Sequence, residues 1–500
     1  MQGVQPIQET NRPNQCNLWT MACAALLLCI AAAIAASAQT FTTLADFPSS
    51  DRSPTSPLVQ GLDGNFYGFA NGGVKGDQCQ NQFCGAMFRV TSAGKITILH
   101  TFCSLFSCLD GWGPSSLVLG GDGNFYGVTY GGGANTTPPC NIDGCGTIFK
   151  ITPGGTLTTL YNFSCSATSC ADGSNPISLM QSFNSGGGSV YSDFYGTTFY
   201  TAFRVTPRGQ LTTLYTFCSQ PNCADGYLPG TLTQAAGGNF FGAARQGLVG
   251  TNCNNACGNI FRMTPTGTLK TLYRYTVPME PNTPLVEGAN GSYYTTTASS
   301  MIAITAQGKL TNVYNFCTQT NCPDGSDPSA LILPTDGNFY GAMGSTFMFG
   351  AQRSTLFRVT QSGAFSVLYT FCAQTNCADG SGSAYALVQG TDGKFYGTTA
   401  DGGSTVCPSG CGTFFSLDVG LAPFVRFLVG TGKVGQTVGI LGQGFTGTTA
   451  VSLNGTPATF TVKSDTYLTA VVPSGATTGS VTVTTLSGTL TSNVAYRVTR

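Results

Sequence analysis

The chain is patterned as short alternating runs of apolar and polar residues, broken by Gly, Pro and Asp-Gly. One phrase returns seven times: Asn65-Phe66-Tyr67-Gly68, Asn124-Phe125-Tyr126-Gly127, Asp193-Phe194-Tyr195-Gly196, Asn239-Phe240-Phe241-Gly242, Ser292-Tyr293-Tyr294-Thr295, Asn338-Phe339-Tyr340-Gly341 and Lys394-Phe395-Tyr396-Gly397. The copies lie about 46 to 69 residues apart. Alternation of period two between turn residues predicts strands. Each unit holds four of them, here lettered A to D. In the second unit, A is 116–119, B is the phrase itself, C is 148–152 and D is 157–163. Asp122-Gly123 joins A to B, a hairpin signal because the turn needs positive φ. A Gly after the aromatic pair predicts a close approach by a neighbour.

Four antiparallel strands per repeat predict blades of a β-propeller, in which each sheet buries both faces against its neighbours. The seventh C run, Phe414-Phe415-Ser416-Leu417, has no D run behind it. The missing copy stands near the N-terminus, where 41–47 (Phe-Thr-Thr-Leu-Ala-Asp-Phe) matches 211–217 (Leu-Thr-Thr-Leu-Tyr-Thr-Phe). The expected fold class is therefore all-β: a seven-bladed β-propeller closed by its N-terminal strand, with an immunoglobulin-like β-sandwich behind it. An open array would need capping repeats and not a displaced strand.

Composition supports strands over helices. Gly is 67 of 500 residues, charged residues are 8% and Glu occurs only at Glu9, Glu280 and Glu287. So few charges, with zero net charge, exclude a basic nucleic-acid footprint and give no electrostatic reason to sit on anionic lipid. An apolar run over 21–36 ends in Ala36-Ser37-Ala38, an A-x-A cleavage pattern before Gln39. It predicts a signal peptide over 1–38, weighed against a lipoprotein signal at Cys29 and a retained anchor. No other stretch is apolar enough for a transmembrane helix, so no membrane span is expected in the mature chain.

Cysteine usage agrees with export. Beyond Cys16, Cys23 and Cys29, eighteen cysteines form nine neighbouring pairs: Cys79/Cys84, Cys103/Cys108, Cys140/Cys145, Cys165/Cys170, Cys218/Cys223, Cys253/Cys257, Cys317/Cys322, Cys372/Cys377 and Cys407/Cys411. A repeat that lacks one partner lacks both, which predicts disulfides. Zinc would need four clustered ligands, and His100 is the single histidine. No cofactor and no metal are expected.

Phrases such as Asp122-Gly123-Asn124-Phe125-Tyr126-Gly127, with Gly146-Thr147-Ile148-Phe149-Lys150-Ile151-Thr152 and 211–215 (Leu-Thr-Thr-Leu-Tyr), resemble the GloVer tandem repeats of exported bacterial proteins. The resemblance covers 41 to about 418 and is weakest in the fifth unit, at Tyr293-Tyr294-Thr295 and 302–305. It implies no catalytic residues. From Pro423 the pattern changes, and segments 434–445, 451–458 and 471–479 resemble an IPT/TIG domain, which implies a spacer or contact module. The expected domains are a signal peptide at 1–38, a propeller at 39–420 and an immunoglobulin-like domain at 423–500.

Candidate chemistry is sparse. Asp63, Asp122, Asp336 and Asp392 occupy A–B turns, where Asp caps its own turn. Arg89, Lys150, Arg204, Arg262 and Arg358 recur at one place in strand C and read as structural partners. His100 falls in strand D and reads the same way. Asp110, Asp172, Asp225, Asp324 and Asp379 each precede a Gly just after a Cys-x4-Cys loop. Either they fix the turn or they meet a ligand, a sugar hydroxyl or calcium; the calcium-loop motif is absent. Trp112, placed in the loop after Asp110-Gly111, is a candidate sugar-stacking ring. All nine cysteine pairs fall on the rim of B–C loops and D–A crossovers, and the short turns fall on the other rim. The cysteine-bearing rim is the expected binding face; the alternative is that the disulfides only staple long loops against proteolysis. Substituting Trp112, Asp225 or Asp379 is expected to weaken binding and leave stability unchanged. The expected function is a secreted or cell-surface, non-catalytic binding or adhesion protein whose partner is a glycan or a surface protein. The alternative is a secreted polysaccharide hydrolase or lyase using paired Asp residues on that face.

Overall fold

The computed structural model describes residues 39–499 except 49–52, 73–83, 136–139, 141–143, 167–169, 183–191, 248–256, 277–279, 282, 320–321, 323, 345–353, 385–386 and 405–409. The leader therefore lies outside the described residues. The chain is all-β. Its helical content among the described residues is three short 3-10 turns, at Phe106–Cys108, Pro221–Cys223 and Thr375–Cys377. Among the described residues no helix is long and apolar enough to cross a membrane.

Among the described residues, the strands between Thr40 and Asp418 form seven antiparallel sheets of four or five strands. The second is typical: Trp112–Leu119, Phe125–Gly131, Thr147–Ile151 and Leu157–Asn162 pair in chain order. In every sheet strand B is buried on both faces, because each face meets another sheet. The degenerate fifth unit still forms its sheet, from Val286–Glu287 to Leu310–Asn315. In the seventh, strand Thr40–Asp46 pairs with Thr413–Asp418, so that Phe41 faces Leu417 and Thr43 faces Phe415.

One aromatic contact joins the sheets. The second aromatic of each phrase meets the first of the next: Tyr67–Phe125 at 4.3 Å, Tyr126–Phe194 at 4.2 Å and Tyr195–Phe240 at 4.2 Å between centroids. Phe241–Tyr293 at 3.7 Å, Tyr294–Phe339 at 4.3 Å and Tyr340–Phe395 at 4.6 Å continue the series. Tyr396 then meets Phe66 at 4.2 Å, so the last phrase touches the first. Such pairs add about 0.5–1.5 kcal/mol each beyond their burial.

A second series joins the end of strand D to strand C of the next unit: Phe102–Phe149, Phe163–Phe203, Phe217–Phe261, Phe316–Phe357 and Phe371–Phe415, at 5.2–5.7 Å. Phe47, just past the N-terminal strand, makes the same contact to Phe88 at 5.2 Å. The Gly after the aromatic pair is explained by these rings. A Cβ on Gly127 would lie 2.5 Å from both Phe149 Cζ and the Ser116 carbonyl oxygen.

The C-terminal segment is a two-sheet sandwich. Strands Arg426–Phe427, Thr437–Leu441, Tyr467–Val471 and Phe460–Ser464 face Thr456–Pro457, Ala450–Leu453, Val481–Thr485 and Gly488–Thr491. Ile440, Phe445, Val451, Leu468, Val481 and Val483 fill its core. The sandwich rests on A–B turns of the first and seventh sheets. Thr466 Oγ1 donates to the Leu62 carbonyl at 2.6 Å, and Gln443 Nε2 donates to Thr391 Oγ1 at 2.8 Å. Leu428 and Leu441 pack with Tyr67 and Leu62.

Candidate functional site

The A–B turns behave as their sequence implied, with one addition. Asp63 Oδ1 accepts the Asn65 amide at 3.2 Å, and its Oδ2 accepts the Tyr67 hydroxyl at 2.9 Å. The same carboxylate–tyrosine bond joins Asp122 to Tyr126, Asp336 to Tyr340 and Asp392 to Tyr396, at 2.7–3.0 Å. Asn290 takes the place of Asp in the fifth unit and donates to Tyr294 at 2.9 Å. The strand-C cations stand against these turns. Lys150 pairs with Asp122 at 2.8 Å and Arg204 with Asp193 at 3.6 Å. Burial, with the neighbouring carboxylate, raises the Tyr67, Tyr340 and Tyr396 hydroxyls well above the ordinary tyrosine value. All of this lies on the rim that the sandwich occupies.

The opposite rim carries the disulfides. Six of the nine expected pairs are described and are bonded as predicted: Cys103–Cys108, Cys140–Cys145, Cys165–Cys170, Cys218–Cys223, Cys317–Cys322 and Cys372–Cys377. Cys79, Cys253 and Cys407 lie outside the described residues; Cys84, Cys257 and Cys411 are disulfide-bonded. Four crossover loops share one construction. Both cysteines sit at positive φ, as in Cys218 at 58° and Cys223 at 45°. The following Asp turns back into the loop. Asp225 Oδ2 accepts the Tyr215 hydroxyl at 2.8 Å, the Ser219 amide at 3.0 Å and the Ser219 hydroxyl at 2.9 Å, while Oδ1 accepts the Gln220 amide at 3.2 Å. Gly226 follows at φ 79°, where a Cβ would fall 2.6 Å from that of Ala244.

Of the two roles open to the crossover aspartates, this geometry is that of fixing the turn. Asp225 and Asp379 are 0% exposed, Asp110 is 1% and Asp324 is 8%. Asp172 is half-buried and accepts the Tyr161 hydroxyl at 2.8 Å. The four buried carboxylates organise their loops from behind. Burial alone would raise the Asp225 carboxyl, but the bonds from Ser219, Tyr215 and Gln220 outweigh it and hold it below the ordinary carboxylate value. His100 belongs to the same device. Its Nε2 lies 3.2 Å from Asp110 Oδ2, where four other units place a tyrosine hydroxyl.

Trp112 also departs from expectation. It begins strand Trp112–Leu119, is 7% exposed and lies against Tyr130, Cys84 and Cys108. Its ring covers Gly131, and it is not a free stacking platform. Substitutions at Trp112, Asp225 or Asp379 would therefore lower stability, contrary to the sequence expectation.

What this rim does present is a cavity of about 410 Å³. It lies where the first strands of units two to five begin. Pro176, Ile177, Pro229, Pro284 and Leu285 give it an apolar wall; Tyr130, Phe199 and Arg245 stand at its edge, with the hydroxyls of Ser115, Thr231 and Thr283. The disulfide loops fix this wall: the Asn175 amide donates to the Cys145 carbonyl at 2.9 Å, and Asn175 Nδ2 donates to the Tyr130 carbonyl at 3.1 Å. Leu105, Leu109 and Tyr200 expose 55%, 43% and 47% of their surface on the same rim. None of these residues was singled out from the sequence. A signal was present: Pro recurs four residues after the crossover Asp, at Pro114, Pro176, Pro229 and Pro328.

Residues 76–303 match the family model described as the Gloeobacter/Verrucomicrobia repeat, and 427–498 match the IPT/TIG domain. The chain thus carries Gloeobacter/Verrucomicrobia repeats followed by an IPT/TIG domain, as its phrases implied. No curated protein matches it. Among solved structures, the extracellular domain of a one component system from B. thetaiotaomicron is similar at 10% identity and TM-score 0.47, covering 75% of this chain and 39% of that one. The extracellular domain of a hybrid two component system from the same organism has 9% identity and TM-score 0.47, covering 92% and 57%. PorZ, a surface component of the type-IX secretion system of Porphyromonas gingivalis, has 13% identity and TM-score 0.44, covering 87% and 58%. The chain spans less than two thirds of the length of these three proteins.

Proposed function

We propose that this chain is an extracytoplasmic binding or adhesion protein, secreted or held at the cell surface, whose ligand meets the disulfide-bearing rim. In this reading the seven sheets are the blades of one closed propeller over 39–420, with strand Thr40–Asp46 as the outer strand of the seventh, and the sandwich over 423–500 is a separate domain. The aromatic series that returns from Tyr396 to Phe66 supports closure, as does Phe47 acting on Phe88 like its counterparts. Disulfides in at least six loops support an oxidising compartment.

The observation that carries the reading is the cavity on the braced rim, opposite the turns on which the sandwich rests. The partner is a glycan or a surface protein. The hydrolase alternative draws no support from the cavity, whose described lining residues include no carboxylate. The test is a glycan array and a panel of surface proteins, probed with the secreted full chain and with variants. Ser115→Trp and Tyr200→Ala should reduce retention, and Val434→Ala, on the sandwich, should not. Retention that survives both rim variants and disappears on changing the sandwich would refute the placement; no retention by either panel would refute the binding reading.

A further inference from the structure

Pro176, Pro229, Leu285, Tyr130 and Phe199 surround the cavity with rigid apolar surface, and Arg245 is the single charged side chain among its described lining residues. Arg245 is exposed, near the rim end of strand Phe240–Gln246. It has no ion-pair partner among the described residues. The acid closest to the lining in sequence, Glu280, precedes Pro281 and acts on Tyr227. The volume, about 410 Å³, falls in the range of small-molecule sites, which combine apolar walls with a few polar groups that set orientation. Proline and aromatic walls lose little conformational freedom when a ligand enters. A guanidinium at the edge of such a wall is matched by an anionic head on an apolar body, held by charge-assisted hydrogen bonds.

We infer that this cavity is a site for a small amphipathic organic anion, an aromatic or aliphatic body bearing one carboxylate or sulfonate, with Arg245 pairing the head. The inference rests on the reading of this rim as the binding face, but it concerns a small ligand inside the cavity and not the macromolecule on the rim.

The test uses the full chain with two fluorescent probes of nearly equal body, anionic 1-anilinonaphthalene-8-sulfonate and uncharged N-phenyl-1-naphthylamine. The anionic probe should saturate at one site per chain, and Ser115→Trp at the mouth should abolish it. Arg245→Gln, at an exposed position, should weaken the anion on the order of tenfold or more and leave the neutral probe within about twofold. Added salt should weaken only the anion. Equal loss of both probes in Arg245→Gln, no loss of either, or binding without a defined stoichiometry would each overturn the inference. A glycan retained on the array by Arg245→Gln as well as by the unaltered chain would leave the binding face standing while this site fails.

Discussion

The sharpest test of closure is Phe47→Ala. Phe47 is 0% exposed, its ring meets Phe88 edge-on at 5.2 Å, and its amide donates to the Gly412 carbonyl at 3.0 Å. It lies at the far N-terminal end of the repeat region, where a loosely attached arm would tolerate truncation. As the equivalent of the strand-D phenylalanines, it should instead carry their full cost. Removing a buried phenylalanine side chain costs about 3–5 kcal/mol, from lost transfer energy and the cavity left behind. Phe102 and Phe371, both 0% exposed and 5.3 and 5.2 Å from Phe149 and Phe415, are internal standards in an almost identical setting. Guanidinium denaturation followed by far-UV circular dichroism, with disulfides intact, should place all three alanine variants within about 1 kcal/mol of one another. Deleting 41–47 should open an edge on strand Thr413–Asp418 and give higher-order species on gel filtration. If Phe47→Ala unfolded with the unaltered chain while Phe102→Ala and Phe371→Ala lost several kcal/mol, closure by the N-terminal strand would be refuted.

Three further outcomes follow from the same geometry. Asp225→Asn and Asp379→Asn should each lower stability by about 1–3 kcal/mol, because a buried acceptor that holds a hydroxyl and loop amides is replaced by a group that is half donor; a melting temperature unchanged in both would return these residues to the ligand-contact role. The hydroxyls of Tyr67, Tyr340 and Tyr396 have raised values, so their contribution is complete below about pH 10 and is lost as pH rises above it through the folded value. Denaturation between about pH 8 and 12 should show this loss and Tyr340→Phe should diminish it; a flat profile would contradict it. Non-reducing peptide mapping should recover nine local links, including Cys79/Cys84, Cys253/Cys257 and Cys407/Cys411; free thiols at these six positions would refute the pairing.

Much of the fold was legible because the repeats act as an alignment of the chain with itself. The likeness of 41–47 to 211–217 pointed to a displaced strand, and the pairing of Phe41 with Leu417 fits it. Two roles stayed open for the crossover aspartates because Asp-Gly specifies a turn without saying which way the carboxylate faces. The spacing held the answer. His100 and Asp110, Tyr215 and Asp225, Tyr314 and Asp324, and Tyr369 and Asp379 are all ten residues apart, and each pair is bonded. A fixed interval between a strand aromatic and a loop acid means one anchors the other. The cavity was less accessible, since it is built where the repeats differ: Phe199, Leu228 and Arg245 have no counterparts in every unit. The seat of the sandwich was hidden for another reason. The bond from Thr466 to Leu62 spans 404 residues, and nothing in either local pattern announces it.

The crossover loops explain how a face made of long connections is held in one conformation, as the proposed binding role requires. Left-handed backbone at non-glycine residues is unfavourable and persists where surrounding structure determines it. Here two cysteines per loop adopt it. The disulfide fixes the ends of a six-residue segment, and the buried carboxylate fixes its middle through amides that would otherwise face water. The strand-D tyrosine, or His100 in the first unit, ties that carboxylate to the sheet. Ordering a free residue costs about 1–2 kcal/mol in backbone entropy alone. A loop already ordered by folding does not incur that cost again when a ligand arrives. On the proposed reading of this rim as a binding face, the carboxylates act from inside the protein, by holding the surface still, and the groups that touch a ligand are to be sought among the variable residues that surface displays.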